Sequence, residues 1–289
     1  MKDRDYGVLY IAVGEKYLEE ARYSASTVKE NCSEIPIAVI TDKETDDDVF
    51  DHVLEAEEAD GFGTKVINML NIPFERTIFL DTDIYVSQDI SEIFDLLTNY
   101  SVVAVPKQDY YTRSGYEKDI PDCFPEYNTG VLGFNKTGAE ELIERWIDEF
   151  EKNREDHCHD QPSFRSALYR TNISVINLGV EYNCAVELPG HVSRTVKIFH
   201  GRTGEHPFGS KAFEREMQEI ENKLNSDTQR SRAFVYNDDE GLQVFEEDTK
   251  HPAYRYPSLP KRFFISLRKD GVVTTTKRTG KFIQRAFLD

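Results

Sequence analysis

The chain has 289 residues and a net charge of −18, with 53 Asp and Glu against 35 Lys and Arg. That length allows one large α/β domain or two small ones with a substantial core, and the acidity excludes nucleic-acid binding through the main body. No apolar run reaches the roughly 18 residues of a membrane span. The four cysteines, Cys32, Cys123, Cys158 and Cys184, lack metal or disulfide spacing, so structural free thiols in a cytoplasmic protein are expected.

In chain order, Gly7–Val13 is an apolar run that predicts a buried strand, and the helical pattern from Glu15 to Asn31 follows it. Ile35–Asp42 predicts a second strand, completing a β-α-β start. An acid-rich connection leads to a short strand near His52–Ala56, and Gly61-Phe62-Gly63 breaks into a helix from Thr64 to Leu70. Arg76–Val86 then carries the all-apolar Ile78-Phe79-Leu80, the pattern of a strand buried on both faces, which stops at Asp81-Thr82-Asp83. Ligands in open α/β sheets gather beyond the carboxyl ends of strands. Two carboxylates one residue apart at that place suit a hard divalent cation that holds a diphosphate.

Beyond it, Ile90–Leu97 predicts a helix, Val102–Val105 a strand, and Pro106–Pro125 a long loop of the kind that serves as a lid. Tyr127–Phe134 is a strand that opens on Asn128-Thr129-Gly130, small polar residues that let a ligand approach the backbone. Gly138–Lys152 and Asp160–Tyr169 predict helices. Ile173–Ile176 and Val196–Phe199 predict short strands, and Lys211–Leu224 a charged helix. Strands alternating with helices predict an α/β sandwich whose first half binds a nucleotide. No glycine-rich phosphate loop is present, so a metal must carry much of the phosphate chemistry.

Three further features bear on the site. Lys65 opens the helix before the metal strand, where its ammonium could reach a phosphate; an ordinary surface lysine is the commoner reading. Asn128-Thr129-Gly130 reads equally as a plain turn. His200 leaves a strand end into a turn with Gly201, Arg202, Gly204 and His206, a set suited to a metal and a diphosphate. By contrast, His157-Cys158-His159 sits in a polar loop without further ligands nearby and is read as structural.

The order of these features resembles the metal-dependent GT-A glycosyltransferases, and among them the retaining family 8 group that includes glycogenin and bacterial lipopolysaccharide galactosyltransferases. The resemblance spans about Val8 to Phe208. It implies a GT-A type α/β/α sandwich with a mixed central sheet over residues 1–250, followed by a basic and apolar extension over 251–289. It implies Ala12, Val13 and Tyr17 at the nucleobase, Lys65 and Thr82 at the donor, and Asp81, Asp83 and His200 on Mn2+ or Mg2+. Asn128, Gly130, Asp160 and Gln161 would surround the transferred sugar, with Asp160 and Gln161 catalytic, and Gly201 and His206 would lie near the diphosphate.

Two departures stand out. The family's closing motif has Lys-Pro-Trp where this chain has His206-Pro207-Phe208, and the second Asp of its Asp-Gln-Asp is replaced by Pro162. The implied activity is transfer of a hexose from a nucleotide sugar to a glycan or lipid-linked acceptor. A sugar nucleotidyltransferase and a non-catalytic nucleotide-sugar-binding protein are the alternatives.

Charge is uneven along the chain. Residues 1–250 hold 26 basic and 51 acidic residues, a balance of −25, whereas 251–289 hold nine basic and two acidic, a balance of +7. Lys261–Lys269 and Lys281–Phe287 mix basic and bulky apolar residues. They read either as a peripheral contact with the cytoplasmic face of a membrane or as a segment docked on the acidic body.

Overall fold

The computed structural model describes residues 5–57, 61–108, 119–152, 160–202, 206–226, 228, 231–237 and 241–246. The predicted lid loop is therefore described only at its two ends. The His157-Cys158-His159 segment, Gly204 and the basic C-terminal extension lie outside the described residues. Met1–Phe245 groups into one compact unit.

Among the described residues thirteen strands and six α-helices follow in order: β1 (Tyr6–Ile11), α1 (Glu15–Asn31), β2 (Ile37–Thr41), β3 (His52–Glu55), α2 (Phe62–Asn68), β4 (Arg76–Leu80), β5 (Ile84–Val86), α3 (Glu92–Leu96), β6 (Val102–Pro106), β7 (Tyr127–Asn135), α4 (Lys136–Lys152), α5 (Asp160–Arg170), β8 (Val175–Asn177), β9 (Cys184–Ala185), β10 (Gly190–Val192), β11 (Ile198–His200), α6 (Lys211–Leu224), β12 (Arg232–Asn237) and β13 (Gly241–Glu246).

The main sheet has seven strands in the order β3-β2-β1-β4-β7-β6-β8. Its first four strands are parallel, β7 runs antiparallel to both β4 and β6, and β8 is again parallel to β6. The mixed sheet expected from the resemblance is thus present. Period-two alternation sends successive residues to opposite faces. Val8, Tyr10, Ile78 and Leu80 pack with Leu18, Ala21, Ala25 and Val28 of α1 and with Ile93 and Phe94 of α3. Leu9, Ala38 and Phe79 pack on the other face with Val66 of α2, Trp146 and Phe150 of α4, and Phe164 of α5. Both faces are covered, which is why these strands read as unbroken apolar runs.

The predicted Arg76–Val86 stretch divides in two. β4 ends at Leu80 in the main sheet, while β5 joins a separate three-stranded sheet in the order β5-β11-β9. Asp81-Thr82-Asp83 is the turn between the two sheets. β5 pairs antiparallel with β11, with Ile84 opposite His200 and Val86 opposite Ile198. A third sheet, β10-β12-β13, packs with α6 around Phe213, Met217, Phe234 and Leu242.

Candidate active site

Three chain segments meet at the carboxyl end of β4. The backbone N–H of Asp81 donates to Gly130 O at 2.8 Å, which ties the Asp-Thr-Asp turn to β7. The Gly201 N–H donates to Asp83 O at 3.1 Å, which ties the turn to the end of β11. The pairing of β6 with β7 shifts between Ala104 and Val105, which face Leu132 and Asn128, so Thr129 to Val131 leave the ladder with β6 and bend toward the turn.

Asp81, Asp83 and His200 converge, each offering one ligand atom, with all three atoms within 4.8 Å of one another. His200 Nε2 lies 4.0 Å from Asp81 Oδ2 and 3.5 Å from Asp83 Oδ1. Its other ring nitrogen, Nδ1, lies 2.8 Å from Asn183 Oδ1. An amide oxygen only accepts, so Nδ1 carries a proton, and Nε2 is the nitrogen that would offer its lone pair to an ion held with the two aspartates. Two carboxylate oxygens and one imidazole nitrogen form a donor set that fits Mn2+ or Mg2+.

The surroundings alternate in sign. Lys65 Nζ is 2.9 Å from both Asp81 Oδ1 and Asp160 Oδ2, and it donates to Thr129 O at 2.9 Å. The Thr129 hydroxyl donates to Asp160 Oδ2 at 2.7 Å. On the far side, Arg202 Nη1 donates to Asp83 Oδ2 at 2.9 Å while Nε donates to Glu20 Oε1 at 2.9 Å. Glu20 also has the exposed Lys16 at 4.0 Å, outside the cleft; among the groups within it, counting His200 as neutral, Glu20, Asp81, Asp83 and Asp160 face Lys65 and Arg202. The balance of two negative charges equals the charge of one divalent ion.

Ionisation follows from these contacts. Burial alone would raise the Asp160 carboxyl, but the Lys65 ammonium and hydrogen bonds from Lys65 and Thr129 outweigh it and hold the group below the usual carboxylate range. At Asp83 burial is likewise outweighed, here by His200 and then Arg202, so this carboxyl too is depressed. Asp81 is the exception: burial, reinforced by the Asp83 charge, exceeds the opposing pull of Lys65 and raises it. Burial opposes the charged forms of Lys65 and His200, yet the adjacent aspartates raise both.

These groups line one cleft of about 580 Å³, together with Ile11, Val13, Tyr17, Gly61, Thr64, Phe79, Thr82 and Gln161. Among the predicted site residues, Val13, Tyr17, Lys65, Asp81, Thr82, Asp83, Asp160, Gln161 and His200 are therefore brought together. Ala12 is fully buried in the core under α1. Asn128 is buried too, and its side-chain oxygen accepts from the Gly130 N–H at 2.9 Å. Gly130 lies beneath the His200 ring, where an added β-carbon would stand 2.2 Å from Cε1. Gly201 adopts φ +108°, a turn conformation that favours glycine. His206 is exposed and does not line the cleft.

Sequence reasoning missed Glu20 and Asn183, and it named Thr129 only as part of the Asn128-Thr129-Gly130 stretch. Glu20 carried a signal, being an acid among the apolar positions Leu18, Ala21 and Ala25 of α1, and it is only 6 % exposed. Asn183 carried none, since it follows a short 3₁₀ turn with no periodic pattern.

The profile of the family described as Glycosyl transferase family 8 matches residues 65–200, the segment that runs from Lys65 through both aspartates to His200. That segment, just under half of the chain, is similar to family 8 glycosyltransferases. Among solved structures, this chain is similar to the galactosyltransferase LgtC in complex with donor and acceptor sugar analogs, at 12 % identity and a TM-score of 0.55, over 75 % of this chain and 95 % of that one. That likeness shows the shared GT-A fold. Looser likenesses are to GlyE of Streptococcus pneumoniae TIGR4, at 18 % identity and a TM-score of 0.47, over 63 % of this chain and 48 % of that one, and to mouse xyloside xylosyltransferase 1, at 14 % and 0.48, over 68 % and 98 %. No curated protein matches this chain in sequence. Among the described residues no helix is long and apolar enough to cross a membrane.

Proposed function

We propose that this glycosyltransferase moves a hexose from a nucleoside diphosphate sugar, with uridine as the base, to a glycan or lipid-linked acceptor with retention at the anomeric carbon, using Mn2+ or Mg2+. The observation that carries the reading is Lys65, which touches Asp81 and Asp160 at once, so metal-ligand chemistry and a pinned, ionised carboxylate share one cleft. A divalent ion held by Asp81, Asp83 and His200 would supply Lewis-acid stabilisation to a leaving diphosphate.

The chain's own residues do the remainder. Tyr17 and Val13 would receive the base, with Ala12 contributing backbone only. Lys65 would add fixed positive charge to the leaving phosphate in a site with little water. Asp160, kept ionised by Lys65 and Thr129, would supply negative charge beside the anomeric carbon as positive charge develops there, and Gln161 would orient the sugar. Asn128 and Gly130 would shape the floor. The acceptor hydroxyl would attack from the face the phosphate leaves, and the departing phosphate oxygen would take its proton.

Free nucleotide release from a panel of nucleotide sugars tests the reading. Release should require Mn2+ or Mg2+ and should fall by at least about a hundredfold in Asp83→Asn. The reading fails if no nucleotide sugar yields nucleotide or shifts thermal unfolding in the presence of either metal. A lipid-linked acceptor would make sense of the basic and apolar residues of 251–289. Flotation with anionic liposomes, full chain against a chain ending at Pro257, tests that membrane contact, and equal, negligible flotation of both removes it.

A further inference from the structure

The two aspartates at the cleft are shared in the same manner. Asp81 sets Oδ1 on the Lys65 ammonium at 2.9 Å and turns Oδ2 toward His200. Asp83 sets Oδ2 on the Arg202 guanidinium at 2.9 Å and turns Oδ1 toward the same His200 nitrogen. The position open to a metal is therefore flanked by a fixed cation on each side, and each carboxylate keeps one oxygen for the ion. An anion carried by that ion would meet Lys65 on one side and Arg202 on the other.

What stands behind the cations differs. Behind Lys65 is Asp160. Behind Arg202 is Glu20 of α1, whose two oxygens take Nε and Nη2 of the guanidinium as a fork, while its Oε2 also accepts the Thr82 hydroxyl at 3.0 Å. A carboxylate fork fixes the direction of a guanidinium as well as its charge, which a lysine could not reproduce. Tyr17, exposed in the cleft, lies three residues before Glu20 and so shares its face of α1. With Tyr17 at the base, as proposed above, the Arg202 flank would be the nucleoside side and the Lys65 flank the sugar side. The turn at Gly201 swings the arginine inward, whereas His206 faces solvent.

We propose that Arg202 grips the donor phosphate nearest the nucleoside, with Glu20 as the positioning residue that aims it; this rests on the donor reading given above. The fixed positive charge expected from the end of the closing motif is thus moved four residues toward the metal-facing histidine.

The test measures binding of uridine mono- and diphosphate, with the guanosine pair as a second base, at saturating Mn2+, and separately the binding of Mn2+ alone by electron paramagnetic resonance. Arg202→Gln should weaken both the mono- and the diphosphate roughly ten- to a hundredfold. It should bind Mn2+ alone as tightly as the native protein or more tightly, because Asp83 loses a competing cation. Glu20→Gln should weaken both nucleotides in the same direction by less, and Arg202→Lys should restore part of the loss.

Arg202→Gln binding both nucleotides within twofold of the native protein would overturn the proposal. So would joint loss of Mn2+ and nucleotide, the mark of a merely structural role, or loss confined to the diphosphate, which would move Arg202 to the sugar side. An unchanged Glu20→Gln removes the positioning half. A native protein that takes up Mn2+ but none of the four nucleotides would overturn the donor reading together with this one.

Discussion

A glycine and an asparagine decide whether His200 can face a metal. A β-carbon at Gly130 would overlap the imidazole, so Gly130→Ala should cost about 1–3 kcal/mol of stability and weaken Mn2+ binding as the ring is pushed aside, measured by thermal unfolding and metal titration. Asn183→Ala should spare the fold and weaken Mn2+ binding roughly 10–100-fold, since it frees the imidazole to turn and to change tautomer. Asp81 combines opposite effects. Its folded value lies above its unfolded one, so its ionisation works against folding at neutral pH, and that penalty fades as pH falls through the raised value. Asp81→Asn should therefore raise the metal-free melting temperature by a few degrees at pH 7 while abolishing metal binding, and the difference from the native protein should shrink toward acid pH. The aspartates and His200 were legible as candidates because carboxylates at the end of a buried strand have few structural uses. Glu20 and Asn183 act through partners 182 and 17 residues away, a separation no local pattern encodes.

Helices α4 and α5 place Asp160. The fully buried Trp146 of α4 donates its indole N–H to Asp160 O at 3.1 Å and to Ser163 Oγ at 3.2 Å, fixing the first turn of α5 against α4. Trp146→Phe removes both bonds and leaves a gap, so it should cost about 1–3 kcal/mol and lower turnover more than donor affinity, by steady-state kinetics. At this scale the long periodic elements were readable: α1 spans Glu15–Asn31 as the helical pattern predicts, and α6 likewise matches Lys211–Leu224. The two- to six-residue strands β9, β10, β12 and β13 were not. β9 and β10 are too short to show a period, and the pairing of β10 with β12 joins segments about 40 residues apart in the chain. The same limit hid the division of Arg76–Val86, where β5 changes sheets to pair with β11.

For the whole molecule, metal and fold are linked. Mn2+ at about a hundred times its dissociation constant should add about 2.7 kcal/mol, which in a unit of this size raises the melting temperature by roughly 5–10 °C, reversed by chelation. The acidic body sharpens this, because −25 over residues 1–250 repels anions at low salt. Across the cleft, Glu20, Arg202, Asp83, Asp81, Lys65 and Asp160 form an ionic row that is two positive charges short. On the function proposed, such a row would admit its guests in sequence: a negatively charged nucleotide arriving first would meet a deficit it deepens, whereas a cation arriving first would turn the same groove into a receptor. Equilibrium dialysis in chelator should accordingly detect no nucleotide uptake, and adding Mn2+ should switch it on.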